Sequence, residues 1–466
     1  MSIFSTLAMS RFLAISRTSP TALKLASGSR PAAPCIVLTS RTICDSGAAG
    51  QSRRSSNLNA SQSPDAAAEL RAIVAEFDGS KPVEEALTLP SAWYTRRCVL
   101  EAEQRCVFGR NWQIACHAHH VSRPGQFSTV DVGGEPLIVV RDETGKLHCH
   151  FNVCRHHAAI VEQRPEGCAD HFRCPYHGFE YALDGRLRKA TQLRGIKNFS
   201  AKSFGLVKAE VQEWGPFIFV RPVPSCGEDQ HRDETTSSPS TFLQPLDSAT
   251  RGVISQPKAQ RFVHRRLYTV DCNWKVFVDN YLDGGFHVPH LHLELSKGLA
   301  LKSYHTEIFP RCSLQTVGGK TAAAAVDAGQ DRPHERTDSE AVDERLGTEA
   351  FFCYVYPNLM INRYGPWVDI NIARPLGVDR CQILFEYYLD EDVAATKEES
   401  GGLDEFVTNC LLQSDQVQQE DIQISESVQR GLQSRSYDTG RYAPRVEHAM
   451  HDFHRTLAAE VAASLV

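Results

Sequence analysis

The sequence predicts an α+β chain in which a small all-β module precedes a larger domain of mixed strands and helices. Three observations predict it. Between Gly125 and about Pro222, short strand-like runs alternate with turns. Beyond that, four more β-rich runs cluster between Phe351 and Leu389. Leu403 to Leu432 then reads as one long helix.

In chain order, the first 44 residues contain no Asp or Glu but include Arg11, Arg17, Lys24, Arg30 and Arg41. Abundant Ser and Thr complete the composition of an organelle transit peptide. The basic stretch Met9–Arg17 suits a mitochondrial address, and the later Ser/Pro/Ala-rich stretch a plastid one. We expect transit peptide and linker over 1–60, with the mature chain starting between Cys44 and Ser63. A helical segment over 61–111 follows, with periods at 65–77 and 97–113. The β module covers 112–222, with strands at Gln126–Val132, Pro136–Arg141, Leu147–Val153 and Phe217–Val220. A polar run from Pro222 to Pro239 separates it from the last domain, 223–466. There, strands are expected at Phe351–Tyr356, Met360–Arg363, Val368–Ala373 and Gln382–Leu389, and a surface insertion over Ala322–Asp343.

Composition excludes several functions. No run approaches eighteen apolar residues, which argues against a helical membrane span. A net charge of −6 makes no case for nucleic-acid binding. The fifteen cysteines are odd in number and scattered, as reduced thiols plus a metal site would be. Gly319-Lys320-Thr321 is not a P-loop, because the required upstream glycine is Leu314.

The chemistry lies in two motifs. Cys154-Arg155-His156 and Cys174-Pro175-Tyr176-His177 supply two thiolates and two imidazoles from two loops. Cys168/His171 and His157 compete for the same roles, but Pro175 and Gly178 shape a tight loop around Cys174. A structural zinc site is the rival reading. The string Cys154-Arg155-His156-His157-Ala158 … Cys174-Pro175-Tyr176-His177-Gly178 resembles a Rieske [2Fe–2S] domain, in which Cys and His pairs hold different irons.

The second motif runs from Asn273-Trp274-Lys275 to His287-Val288-Pro289-His290-Leu291-His292. His287 and His292 form an H-x4-H pair, with His290 as competitor. Two imidazoles and one carboxylate bind Fe(II) and leave positions open for dioxygen. On the helix 403–432, an apolar stripe passes through Cys410, Val417, Ile424, Val428 and Leu432. Asp421 falls on that stripe, whereas Glu420 is rotated about 100° away.

Together the motifs resemble the Rieske non-haem iron oxygenases. The resemblance implies a [2Fe–2S] cluster on Cys154, His156, Cys174 and His177, and a mononuclear Fe(II) on His287, His292 and Asp421. It implies a catalytic domain built on a central antiparallel sheet covered by helices, and a homotrimer. Family members place an inter-subunit bridging carboxylate three residues before the first iron histidine. Here that residue is Gly284, which leaves Asp283 or Asp279 for the role. Asp279-Asn280-Tyr281-Leu282-Asp283-Gly284-Gly285-Phe286-His287-Val288-Pro289 and Tyr356-Pro357-Asn358 … Pro366-Trp367 resemble the choline-hydroxylating branch of that family. That implies choline and O2 as substrates, a ferredoxin as donor and the chloroplast stroma as location, with the mitochondrial matrix as the other address. Carnitine, a betaine or an aromatic ring are the alternative substrates, and an electron carrier without the second iron is the alternative class. Aromatic faces hold quaternary ammonium groups, which nominates Tyr281, Phe286, Tyr356, Tyr364 and Trp367. Residues 154–197 carry eight Arg and Lys against five Asp and Glu, a basic rim suited to an acidic donor.

Overall fold

The computed structural model describes residues 64–223, 238–256, 259–319 and 347–465. The expected transit peptide and the Ala322–Asp343 insertion lie outside the described residues. Ten strands build the first half: β1 (Gln113–His117), β2 (Gln126–Val132), β3 (Glu135–Arg141), β4 (Leu147–Phe151), β5 (Glu166–Cys168), β6 (Phe172–Arg173), β7 (Glu180–Tyr181), β8 (Leu187–Lys189), β9 (Lys208–Trp214) and β10 (Phe217–Arg221). They form a seven-stranded sheet in the order β1-β10-β9-β4-β3-β2-β5 and a small sheet β6-β7-β8. Both Cys/His pairs sit on turns, one after β4 and one between β6 and β7.

The second half folds around one antiparallel sheet. Its strands are β11 (Gln260–Val270), β12 (His305–Phe309), β13 (Cys312–Gly318), β14 (Glu349–Val355), β15 (Leu359–Tyr364), β16 (Trp367–Gly377) and β17 (Arg380–Asp390), in the order β11-β17-β16-β15-β14-β13-β12. The four expected runs are four consecutive hairpin partners, β14 to β17. Val368, Ile370 and Ile372 turn one face of β16 into an apolar core shared with Phe219 and Phe242. Asp369 and Asn371 point from the other face, as period-two alternation requires.

Helices cover that second face. Leu403–Leu432 spans the expected residues. The helical segment before the β module belongs to the same core, since Trp93, Val99 and Phe108 pack with Trp274 and Phe453. Burying a Phe-sized side chain contributes about 1.5–3 kcal/mol, so this core fixes the helix Trp274–Tyr281 firmly. The motif at its start has three separable tasks. Asn273 caps the helix, its side chain accepting from the Lys275 N–H at 3.1 Å. Trp274 fills the core and donates its indole N–H to Glu103 at 2.9 Å. Lys275 pairs with the same carboxylate at 2.7 Å, with both side chains fully buried. Breaking one partner of such a pair strands a charge, which anchors the helix to Glu103.

The long helix corrects one expectation. Its buried face runs through Phe406, Cys410, Ser414, Gln418, Ser425, Gln429 and Leu432. Ile424 and Val428 are 40% and 44% exposed. The helix covers a partly polar cavity, so its inward stripe is largely polar, and the apolar stripe follows the buried face at Cys410 and Leu432 but leaves it at Ile424 and Val428.

Candidate active site

Each Cys/His pair lies in a turn of the same construction. The Cys154 N–H donates to the Ala159 carbonyl at 2.8 Å, and the Cys174 N–H to the Phe179 carbonyl at 2.8 Å. The Ala158 and Gly178 N–H groups return to the carbonyls of Cys154 and Cys174, and both residues hold positive φ, 58° and 70°. Glycine at 178 takes that conformation without strain. Both sulfurs are buried, while His156 is exposed at the tip. The His156 ring stacks on Phe179 at 4.6 Å and lies 4.6 Å from the His177 ring. His157 is a near neighbour too, 5.3 Å from His177. Cys168 lies on the surface with its sulfur toward the Pro124 carbonyl.

These donors suit a [2Fe–2S] cluster. His177 Nδ1 is buried and has no hydrogen-bond partner among the described residues, a state that ligation relieves. Tyr181, which motif reading passes over, brings its hydroxyl to 3.2 Å from Cys154 Sγ and accepts the Arg155 N–H at 3.1 Å. Hydrogen bonds to cluster sulfurs tune the reduction potential.

The second centre assembles three separate segments. His287 follows the turn Leu282–Gly285, His292 sits at a break between two short helices, and Asp421 comes from the long helix. One ligand atom from each lies within 4.8 Å of the others. His292 Nε2 is 3.0 Å and His287 Nε2 3.9 Å from Asp421 Oδ1. Both distal nitrogens are held: His287 Nδ1 lies 2.7 Å from Asp283, and His292 Nδ1 2.7 Å from Glu420. Carboxylates behind metal-binding histidines set the tautomer and aim the other nitrogen. Asn280 donates to Asp421 Oδ1 at 2.7 Å. Two imidazoles and a carboxylate with oriented lone pairs fit one Fe(II).

Glu420 and Asn280 were not expected here. Glu420 does start about 100° around the helix from Asp421, but its longer side chain reaches His292. His290 is exposed, with its ring toward Phe286 rather than toward the ligands. The empty place of the family's carboxylate has a steric cause. Gly284 holds φ +70°, and a Cβ there would strike the Val446 carbonyl oxygen. Asp283 instead accepts from the Phe286 and His287 N–H groups and meets the His287 ring. Asp279 turns elsewhere, accepting from Tyr94 at 2.7 Å and lying 2.8 Å from His454 Nε2. Asp279, Asp283, Glu447 and His454 line one recess of about 260 Å³, next to Ile424 and Val428.

A cavity of about 150 Å³ opens onto His287, His292 and Asp421. Tyr281, Phe352, Tyr364 and Phe385 line it with Asn362 and Asp369. Tyr281 donates its hydroxyl to Asn362 at 2.7 Å, and burial pushes that hydroxyl's pKa well above the usual value, keeping it a donor. The structure does not bring the other nominated aromatics here. Phe286 is 52% exposed on its turn. Tyr356 lies beyond the end of β14, under Phe453, with its hydroxyl on Glu460. Trp367, at the start of β16, packs on Phe406. Tyr356 and Trp367 belong to the helix-covered core but sit at strand ends, outside the lining of this cavity.

A cluster-bearing β domain joined to a two-histidine, one-carboxylate centre beneath an antiparallel sheet defines an iron oxygenase fed through a Rieske cluster. The chain belongs to that family, the Rieske non-haem iron oxygenases, and its cofactors are a [2Fe–2S] cluster and a mononuclear iron. Residues 111–200 match the Rieske [2Fe-2S] domain, and residues 258–463 match the ring hydroxylating alpha subunit (catalytic domain). It is 40% identical to the chloroplastic choline monooxygenase of Arabidopsis thaliana over 84% of this chain and 86% of that protein. The corresponding figures for the Beta vulgaris choline monooxygenase are 34%, 83% and 79%. A solved quaternary ammonium Rieske monooxygenase, described as acting in carnitine oxidation with inter-subunit electron transfer, shares the fold. Its TM-score is 0.66 at 23% identity, over 82% of this chain and 97% of that one.

Proposed function

We propose that this chain is a choline monooxygenase that hydroxylates choline at the carbon bearing its alcohol, giving betaine aldehyde hydrate, the first step of glycine betaine synthesis. The observation that carries this reading is the cavity at the iron ligands. It is small, walled by aromatic faces, and lined by no Lys or Arg among the described residues. Aromatic faces attract a quaternary ammonium. Carnitine or a betaine brings a carboxylate as well, for which the described lining offers no cation. Identity to plant choline monooxygenases supports the same choice.

Iron bound at His287, His292 and Asp421 supplies activation of dioxygen. The chain's own residues do the rest. Asp283 and Glu420 hold the two histidines in one tautomer, Asn280 steadies Asp421, and the aromatic walls exclude water. One oxygen atom enters the substrate and the other leaves as water, which requires electrons from outside.

Those electrons come from a ferredoxin. A groove beside Arg155, lined also by Arg186, Lys202 and Lys208 with Asp184, supports an acidic donor. We assign the bridge to Asp283 in a homotrimer, where the acidic recess beside it receives the exposed cluster tip of the next subunit. Chloroplastic relatives and the acid-free N-terminal sequence support the chloroplast stroma.

The test is a single turnover. The iron-loaded protein, its cluster reduced anaerobically, is mixed with choline and O2 and assayed for betaine aldehyde. Product with cluster reoxidation is expected, from about three irons per chain. Hydroxylation of carnitine, a betaine or an aromatic ring without choline turnover would replace the substrate reading. About two irons per chain would reduce the protein to a carrier.

A further inference from the structure

Strands disfavour Asp, and a buried carboxylate is costly unless partnered. Asp369 nevertheless stands in the middle of the antiparallel sheet, 4% exposed, with its side chain on the cavity wall. Cross-strand register places it in one row with Phe352, Asn362 and Tyr387 on neighbouring strands. Asn362 and Tyr364 help to fix its direction. Asn362 Nδ2 donates to Oδ1 at 2.5 Å, and the Tyr364 hydroxyl donates to Oδ2 at 2.6 Å. Asn362 in turn accepts from Tyr281 at 2.7 Å. A hydrogen-bonded row thus leads from an aromatic wall to a buried carboxylate.

We propose that Asp369 supplies the counter-charge for a quaternary ammonium in this cavity, and so selects a net-positive substrate over a neutral or zwitterionic one of similar shape. The inference rests on the quaternary-ammonium reading above and adds what that reading lacks. Aromatic faces attract a trimethylammonium group weakly and tolerate its neutral carbon isostere. A buried carboxylate separates the two, because Coulomb attraction is strong where water is excluded. It also repels a second carboxylate, which turns the cavity against zwitterions.

The experiment compares choline with 3,3-dimethylbutan-1-ol, its neutral isostere, by calorimetric binding to the iron-loaded protein and by KM. The wild-type protein is expected to prefer choline by about tenfold or more. Asp369→Asn keeps the shape of the side chain but not the charge, and turns one of its two acceptor oxygens into a donor amide. It should weaken choline by about tenfold while the isostere binds as before, with iron content and Tm retained. Asp369→Glu should keep part of the preference. Equal binding of the two ligands by the wild-type protein would overturn the proposal without any variant. So would an undiminished preference in Asp369→Asn, or equal loss of both ligands, which assigns Asp369 to holding the sheet. If Asp369→Asn does not fold, loss of the preference in a folded Asp369→Glu also overturns it. The two readings fail separately. An Asp369-dependent preference without choline hydroxylation removes only the choline activity, and choline turnover with unchanged KM in Asp369→Asn removes only the role of Asp369.

Discussion

At the scale of single residues, Asp421 and Asp283 make a contrasting pair. Asp421 lies within ligand distance of both imidazoles, whereas Asp283 lies behind one of them. Asp421→Ala should therefore lose mononuclear iron while the cluster's visible absorption stays intact. Asp283→Asn should retain both metals and slow reoxidation of the reduced cluster about a hundredfold, because distal carboxylates set ligand orientation. Metal analysis and stopped-flow absorption read the two effects. Full iron content in Asp421→Ala sinks the ligand assignment, and normal reoxidation in Asp283→Asn sinks the bridge.

Among elements, the turn Leu282–Gly285 matters most. It turns the chain out of the helix anchored by Lys275 and Glu103 and into the segment carrying His287. Two glycines make that possible at φ +70° and +71°, with the Val446 carbonyl and the Tyr304 ring against them. Gly284→Ala should destabilise the protein by about 2 kcal/mol or more, from the left-handed conformation plus the contact. Iron affinity should fall with it. A Tm and iron content equal to the parent's would show that Val446 moves aside freely. This turn also explains the displaced carboxylate: with no room for a side chain at 284, the neighbouring Asp283 takes the contact with His287.

For the whole molecule, the interface between the β module and the larger sheet is charged with imidazoles. His120 sits between Glu166 and Glu386 at 3.0 and 3.2 Å. Arg265 ties the same two glutamates together. Burial pushes His117 down to about 3, and burial with the neighbouring His120 pushes His119 down to about 4. His150, buried in the β module, is pushed down to about 4. Burial alone would raise Glu386, yet His120, Arg265 and Tyr388 carry it far below the usual carboxylate range. The folded protein thus keeps His117, His119 and His150 neutral where the unfolded chain, with pKa near 6.5, takes up protons. The unfolded state binds more protons, so stability is full above about pH 6.5 and falls as pH drops towards 4. Glu386 stays ionised throughout that window. Thermal unfolding between pH 7.5 and 5 should show Tm falling on acidification. His117→Phe, which keeps the stack on Tyr388, should flatten the slope, and an unchanged slope would remove His117 from the account.

Much of this was legible in the chain because metal ligation is written locally. Cys154/His156, Cys174/His177 and His287/His292 lie within a few residues of one another, so spacing brings them forward and the family resemblance prefers them to Cys168/His171, His157 and His290; strand alternation and the long helix are equally local. Asp421 was found by a less secure route, since Ile424 and Val428 of the stripe that singled it out are exposed. Only the tertiary structure decided the rest. Glu420 behind His292 and Tyr181 beside Cys154 meet partners from distant segments, Asp369 meets Asn362 and Tyr364 across one hairpin, and Asp283 is set against His287 by the shape of a turn. Phe286, Tyr356 and Trp367 have the right chemistry for a cation but sit outside the cavity. The physical reason is common to all of them: a spacing pattern specifies which atoms one loop presents, while a cavity is specified by which faces of strands and helices close upon it.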